Sequence, residues 1–300
     1  LSSQHPVWLV RRWVQQFGYE EAVRLCTFDN EPAVLSLRTN TLKTTREKLL
    51  ECLQAEGVEA EASCWTPEGV LCRRHGALDD LMSLQEGFFQ VQDESSMLVA
   101  HIVAPEPGDF VLDVCSAPGG KATHLAALMG DVGRIVALDI HEHKIRRLEE
   151  NCKRLGIISV EPMLLDAREA GRHFAGQADC VLVDAPCSGL GVLRRKPDAR
   201  WRKTPAELLA LPILQKEILE SAAGAVKPGG VLVYSTCTIT RAENEEIIEA
   251  FLKDHEVFSL ETAGEFLPLQ KRREKMIQLY PQRDGTDGFF IARMKRRVDA

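Results

Sequence analysis

Apolar residues recur every fourth position at Leu9, Trp13 and Phe17, the spacing of one helix face, and Gly18 interrupts the stripe. Residues 6–28 therefore read as two short helices. The run Ala33–Leu37 reads as a strand. Thr44-Thr-Arg-Glu47 has the spacing of a capping box, opening a helix to about Glu56 with Leu49, Leu50 and Leu53 inward. Short strands are predicted near Val58–Cys64 and Gly69–Arg73. From about residue 86 the pattern changes. The segments Phe110–Val114, Arg134–Asp139, Val160–Asp166, Cys180–Asp184 and Val231–Thr236 are apolar runs of parallel-strand type. They alternate with helical patterns near Lys121–Met129, Glu142–Leu155 and Pro205–Val226, and Glu243–Lys253 is a further helix. Leu279–Met294 predicts a hairpin turning at Asp284–Gly288. The expected fold is α/β: a doubly wound, Rossmann-like sheet with an antiparallel edge strand over residues 86–300. A small helical and α+β domain over residues 1–85 precedes it.

A chain of 300 residues suits two domains. No apolar run approaches the roughly 20 residues needed to span a bilayer. The first residues lack the basic and then apolar order of a secretory leader. Nine cysteines form no C-x-x-C pair, which argues against a disulfide framework and a zinc site and suits a reducing cytoplasm. A net charge of −7 excludes a global nucleic-acid signature. Residues 194–203 differ from that average, with Arg194, Arg195, Lys196, Arg200, Arg202 and Lys203 around Trp201. Basic groups with an embedded aromatic suit a phosphate backbone and a stacked base. The basic runs 271–275 and 293–297 read as solvated charge.

The chemistry concentrates at two strand ends. Asp184-Ala-Pro-Cys187-Ser-Gly follows one apolar run, and Ser235-Thr-Cys237-Thr ends another. If those strands are neighbours, about 4.8 Å apart, both thiols and the Asp184 carboxylate face one pocket at the edge where open α/β sheets place their chemistry. That set suits covalent catalysis. The first strand of the large sheet runs into Asp113-Val-Cys115-Ser116-Ala117-Pro118-Gly119-Gly120-Lys121 and then a helix, a cradle for an anionic or polar ligand. Gly119 and Gly120 are expected to admit a close ligand. Asp139 ends the second strand, where an acid can hold a ribose diol, and Asp166 ends the third, suited to an adenine amine.

Together, Asp113–Lys121, Asp139, Asp166, Asp184–Cys187, Thr236-Cys237 and Gln90–Ser96 resemble the S-adenosylmethionine-dependent RNA cytosine-5 methyltransferases. His5-Pro-Val-Trp8, Leu37-Arg-Thr-Asn40 and Arg194–Asp198 are similar to the bacterial small-subunit ribosomal RNA methyltransferase B type. That type usually carries an N-terminal helical RNA-binding domain that has no counterpart in this sequence. The resemblance implies S-adenosyl-L-methionine held by Cys115–Lys121, Asp139, Asp166 and Asp184. It implies Cys237 as nucleophile and Cys187 as the residue that assists release, with Asp184 beside them. Cys115 stands where another small residue also occurs, so it is read as loop structure. The expected substrate is RNA, first of all small-subunit ribosomal RNA, with no membrane, no metal and a monomeric protein. Transfer RNA, an exocyclic-amine methyltransferase and a non-catalytic assembly factor are the competing expectations.

Overall fold

Helices Val7–Phe17 and Tyr19–Phe28 form as expected, separated by Gly18 at φ +85°. Their apolar faces, with Leu9, Trp13, Leu25 and Cys26, pack against Leu190, Leu193, Leu208 and Ile239. The first helices thus share a core with segments flanking the predicted cysteines, and not with the small sheet that follows. The structure is a computed structural model that describes residues 4–299. Leu1, Ser2, Ser3 and Ala300, the outer ends of the two expected domains, lie outside the described residues.

The small sheet contains β1 (Leu35–Thr39), β2 (Glu59–Ala62), β3 (Gly69–Arg74) and β4 (Phe89–Val91), in the antiparallel order β2-β3-β1-β4. Its fourth strand lies beyond residue 86, so the sheet runs past the boundary expected there. The helix Arg46–Ala55 closes one face with Leu49 and Leu53. Its cap is Thr45, whose hydroxyl accepts the Lys48 N–H. The expected capping box does not form: the cap falls one residue later than expected, and Lys48 stands where the box needs an acid or amide.

The large sheet contains β5 (Phe110–Asp113), β6 (Arg134–Asp139), β7 (Val160–Leu164), β8 (Ala178–Asp184), β9 (Val226–Thr236), β10 (Phe258–Leu260), β11 (Met276–Leu279) and β12 (Phe289–Arg296). Its order is β10-β12-β9-β8-β5-β6-β7, with β11 paired to β12. Strands β5 to β9 run parallel, and β12 is antiparallel to β9. The chain winds outward from β5 to β7 and then restarts at β8 on the other side of β5. The crevice at that reversal is where such sheets bind ligands.

One ten-residue helix and several short elements escaped the periodicity. The helix Glu94–Val103 is capped by Asp93 and buried on nearly every face, so it has no amphipathic stripe to detect. β10 is a three-residue edge strand. The expected tight turn between β11 and β12 is a longer link containing the helical turn Pro281–Asp284. No described helix is long and apolar enough to cross a membrane.

Candidate active site

Strands β8 and β9 are parallel neighbours, with Asp184 opposite Ser235. This register brings the loops that follow them together, and Cys187 Sγ lies 3.4 Å from Cys237 Sγ. Asp184 is held on both oxygens: Ser235 Oγ donates to Oδ1 at 2.8 Å, and Lys121 Nζ donates to Oδ2 at 2.6 Å. The two thiols are driven in opposite directions. The hydrogen bond from Cys187 lowers the pKa of Cys237. Burial and Asp184 act against this, and Lys121 and Lys196 reinforce it. Cys187 is pushed well above the ordinary thiol value by the same hydrogen bond, by burial and by the Glu243 charge. The pair therefore favours a thiolate on Cys237 and a thiol on Cys187. Behind them Asp113 is fully buried. Burial, and then the charge of Asp184, raise it to about 7.

Two clefts meet at these groups. The first, of about 450 Å³, is walled by Cys115, Ala117, Asp139, Ile140, Leu165 and Asp166 and reaches Asp184, Cys187 and Cys237. Asp139 Oδ1 accepts the His141 N–H at 2.9 Å. Asp166 caps the following turn through the Arg168 N–H and grips the Arg168 guanidinium, which holds its carboxyl below the usual range. The second cleft, of about 440 Å³, is walled by Ser116, Pro118, Gly120, Lys121, Lys196 and Asp287. Cys115, Ala117, Asp184 and Cys237 line both. The loop expected to wrap a single ligand is therefore divided, and Lys121 turns to Asp184 in the second cleft. Burial pushes the Cys115 thiol well up.

Gly119 has φ +95°, which favours glycine whatever the space, and a Cβ there would stand 2.1 Å from Leu148 Cδ1 on the helix Glu142–Leu155.

Residues 100–295 match the family described as 16S rRNA methyltransferase RsmB/F. The chain belongs to this family. Residues 5–79 match the family's ferredoxin-like domain. "Probable ribosomal RNA small subunit methyltransferase B" of Bacillus subtilis (strain 168) is 42% identical over 300 residues, which cover 98% of this chain and 67% of that protein. "Ribosomal RNA small subunit methyltransferase F" of Shewanella amazonensis (strain ATCC BAA-1098 / SB2B) is 37% identical, over 88% of this chain and 58% of that one. NSun6 from Pyrococcus horikoshii, solved with SFG, superposes with a TM-score of 0.88 at 26% identity, over 99% of this chain and 100% of that one. The chain spans about two thirds of the length of the B-type relatives it matches.

The basic stretch 194–203, part of the resemblance to this RsmB/F family, needs correction residue by residue. Arg200 is 2% exposed and donates to the carbonyls of Gln4 and Asp29 and to Asn30 Oδ1. Arg195 is clamped by Asp93 and Asp287 and donates to the Val34 carbonyl. Arg194 lies 4.2 Å over the Phe28 ring. These three guanidiniums staple the N-terminal segments to the catalytic loops. Lys196, Arg202 and Lys203 line an open cleft of about 490 Å³, and Trp201 beside them is 62% exposed. Arg200→Ala should therefore destabilise the protein by about 2–3 kcal/mol, the scale of losing charged hydrogen bonds in a buried place. Denaturant unfolding measures this, and an unchanged midpoint would contradict the assignment.

Sequence reasoning missed two tethers. The Arg38 guanidinium, 1% exposed on β1, donates to Gln92, to the Gly120 carbonyl and to Thr123 Oγ1. It fixes the glycine loop to the small sheet. Glu68 Oε1 lies 2.8 Å from both His101 Nε2 and His124 Nε2, which joins the small sheet to the helices Glu94–Val103 and Gly120–Leu128. The signal for Arg38 was an arginine inside an apolar strand. That position is costly unless the group is paired.

Proposed function

We propose that the chain transfers a methyl group from S-adenosylmethionine to C5 of a cytidine in RNA, first of all small-subunit ribosomal RNA, through a cysteine adduct at C6. The observation that carries this reading is the thiol pair 3.4 Å apart, polarised in opposite senses, beside a carboxylate at the meeting of two clefts. Methylation of an exocyclic amine needs no thiol.

The first cleft suits the cofactor. One oxygen of Asp139 accepts the His141 N–H, which leaves the other for ribose hydroxyls. Both oxygens of Asp166 accept from Arg168, so an adenine amine would take the place of part of that grip. Ile140, 59% exposed, offers an apolar wall for a flat base. S-adenosylmethionine would supply an electrophilic methyl group there. The second cleft suits the target base, which must lie outside any stack.

Cytosine C5 is too electron-poor to take a methyl group unaided. Addition of the Cys237 thiolate at C6 makes C5 enamine-like. Asp184 can accept a hydrogen bond from the base N4 amine and orient the ring. After transfer the C5 proton must leave before Cys237 can depart. Once the Cys237 sulfur is bonded to C6, it no longer holds the Cys187 proton. The first cause that raises Cys187 is then gone, and either Cys187, once its thiol proton has passed to solvent, or a bound water can accept the C5 proton.

The test is incubation with RNA and labelled S-adenosylmethionine, followed by nucleoside analysis. Label in 5-methylcytidine supports the reading, and label on N4 or on a protein overturns it. Comparing 16S RNA with transfer RNA fixes the substrate. Asp139→Ala should weaken S-adenosylmethionine binding by roughly 1.5–3 kcal/mol, read by calorimetry with the fold intact. Neutralising Lys196, Arg202 and Lys203 together should flatten the log–log salt dependence of RNA binding by about 2 units, at roughly 0.7 per contact. An unchanged slope would mean these groups are merely solvated.

A further inference from the structure

What sets the 3.4 Å spacing of the two sulfurs? They sit on separate loops, and among the described residues no covalent link joins those loops. The Glu243 side chain is 1% exposed and lies between them. Its Oε2 accepts the Ser188 N–H at 2.8 Å and Gln215 Nε2 at 3.0 Å. Its Oε1 accepts Thr240 Oγ1 at 2.6 Å. Its own carbonyl accepts the Tyr234 hydroxyl at 2.7 Å, which anchors its main chain to β9. Ser188 follows Cys187, and Thr240 belongs to the loop that carries Cys237. Gln215, on the long helix Pro205–Ala225, also donates to the Pro186 carbonyl at 3.0 Å. One carboxylate thus collects donors from three elements, and both catalytic loops are among them.

We propose that Glu243 is a positioning residue that holds the Cys187 loop against Cys237, so that release depends on it more than attack does. This rests on the function proposed above. A carboxylate is the fitting side chain, because it accepts on both oxygens and donates nothing. A glutamine of equal size would set an N–H₂ group against the Ser188 N–H or oblige the Thr240 hydroxyl to reverse and accept. Either way the charge that strengthens the Ser188 and Gln215 bonds is lost and the grip on the Cys187 loop loosens. Cys237 has a separate support: its carbonyl accepts the Gly191 N–H at 3.0 Å, and its thiolate faces Asp184, Lys121 and Lys196. Cys187 faces Cys237 and Glu243. Loss of Glu243 should therefore displace Cys187 most, while Cys237 keeps its own main-chain bond and its facing lysines.

The test uses proximity first, which needs no RNA. Diamide converts two neighbouring thiols to a disulfide: both S–H bonds are lost, one S–S bond forms, and the reagent takes up two protons and two electrons as its hydrazine. Wild-type protein should close the Cys187–Cys237 bond quickly, mapped by mass spectrometry. Glu243→Gln should close it at least tenfold more slowly, while iodoacetamide alkylation of Cys237 keeps its limiting rate at high pH and its profile moves to higher pH as the Cys187 donor withdraws. Glu243→Asp, which keeps an acceptor on a shorter arm, should fall between them. With RNA and cofactor, Glu243→Gln should accumulate a heat- and detergent-resistant protein–RNA band. If Glu243→Gln fails to fold, Gln215→Met removes the donors to Pro186 and Glu243 from the helix side and should give the same slower closure. An unchanged disulfide rate in the folded variant overturns the proposal. A wild type that closes the disulfide but makes no 5-methylcytidine would instead overturn the function on which it rests.

Discussion

Cys237→Ala is expected to abolish methyl transfer and any covalent RNA complex, a loss on the order of 10⁴-fold or more, because no adduct can form. Cys187→Ala should behave differently. The thiolate at Cys237 still adds and the methyl group still transfers, but proton removal and departure slow. Protein then remains bonded to methylated RNA, visible as a slow band on a denaturing gel. The double variant should lose the band, since the two residues act in sequence on one intermediate. The geometry adds a further expectation. The Cys187 thiol is the first cause of the lowered Cys237 pKa, so Cys187→Ala should also shift Cys237 alkylation to higher pH. A band that forms with Cys237→Ala and needs Cys187 would reverse the roles. Two active single variants with no band would end the covalent mechanism.

Lys121→Met is expected to reduce methyl transfer at neutral pH by on the order of 100-fold, comparable to losing one electrostatic group of a preorganised site. Burial alone would depress the Lys121 pKa, but the charge and hydrogen bond of Asp184 outweigh it, and the ammonium is retained. That ammonium neutralises Asp184 and favours the Cys237 thiolate. Without it, Asp184 faces Cys237 with only Lys196 left to offset it. The sign follows from the thiol. A cation favours the deprotonated form, so its removal raises the pKa of Cys237. The acid limb of kcat/KM should move to higher pH, and the iodoacetamide profile of Cys237 should move with it. Lys121→Arg should restore much of the limb. An unmoved limb in Lys121→Met would show that the Lys121–Asp184 pair is structural.

The strands were legible because a buried parallel strand is a short, continuous apolar run, and Arg134–Asp139 was read to the residue. The amphipathic helix Glu142–Leu155 was equally plain, with Ile145, Leu148, Cys152 and Leu155 on one face. The helix Glu94–Val103 was not, because burial all round removes the contrast between faces. The small sheet was cut short because a three-residue strand such as Phe89–Val91 carries no periodicity of its own. Only its pairing with β1 declares it.

At the site, the sequence by itself determined the chemical inventory: two thiols, the strand-end carboxylates and a glycine turn, each placed by where an apolar run stops. Local pattern suffices for that, because the end of a buried strand in an open α/β sheet is the edge at which function sits. Tertiary structure decided how the groups are used. Lys121 pairs with Asp184, Gly119 lies against Leu148, and Arg195 and Arg200 turn inward as staples rather than outward to phosphates. The reason is that a charged or flexible residue takes its role from whichever partner compensates its desolvation. Those partners lie far away in the chain: Lys121 and Asp184 are 63 residues apart, and Arg200 and Asp29 are 171 apart. Spacing along a sequence carries no record of such pairs until the sheet order brings them together.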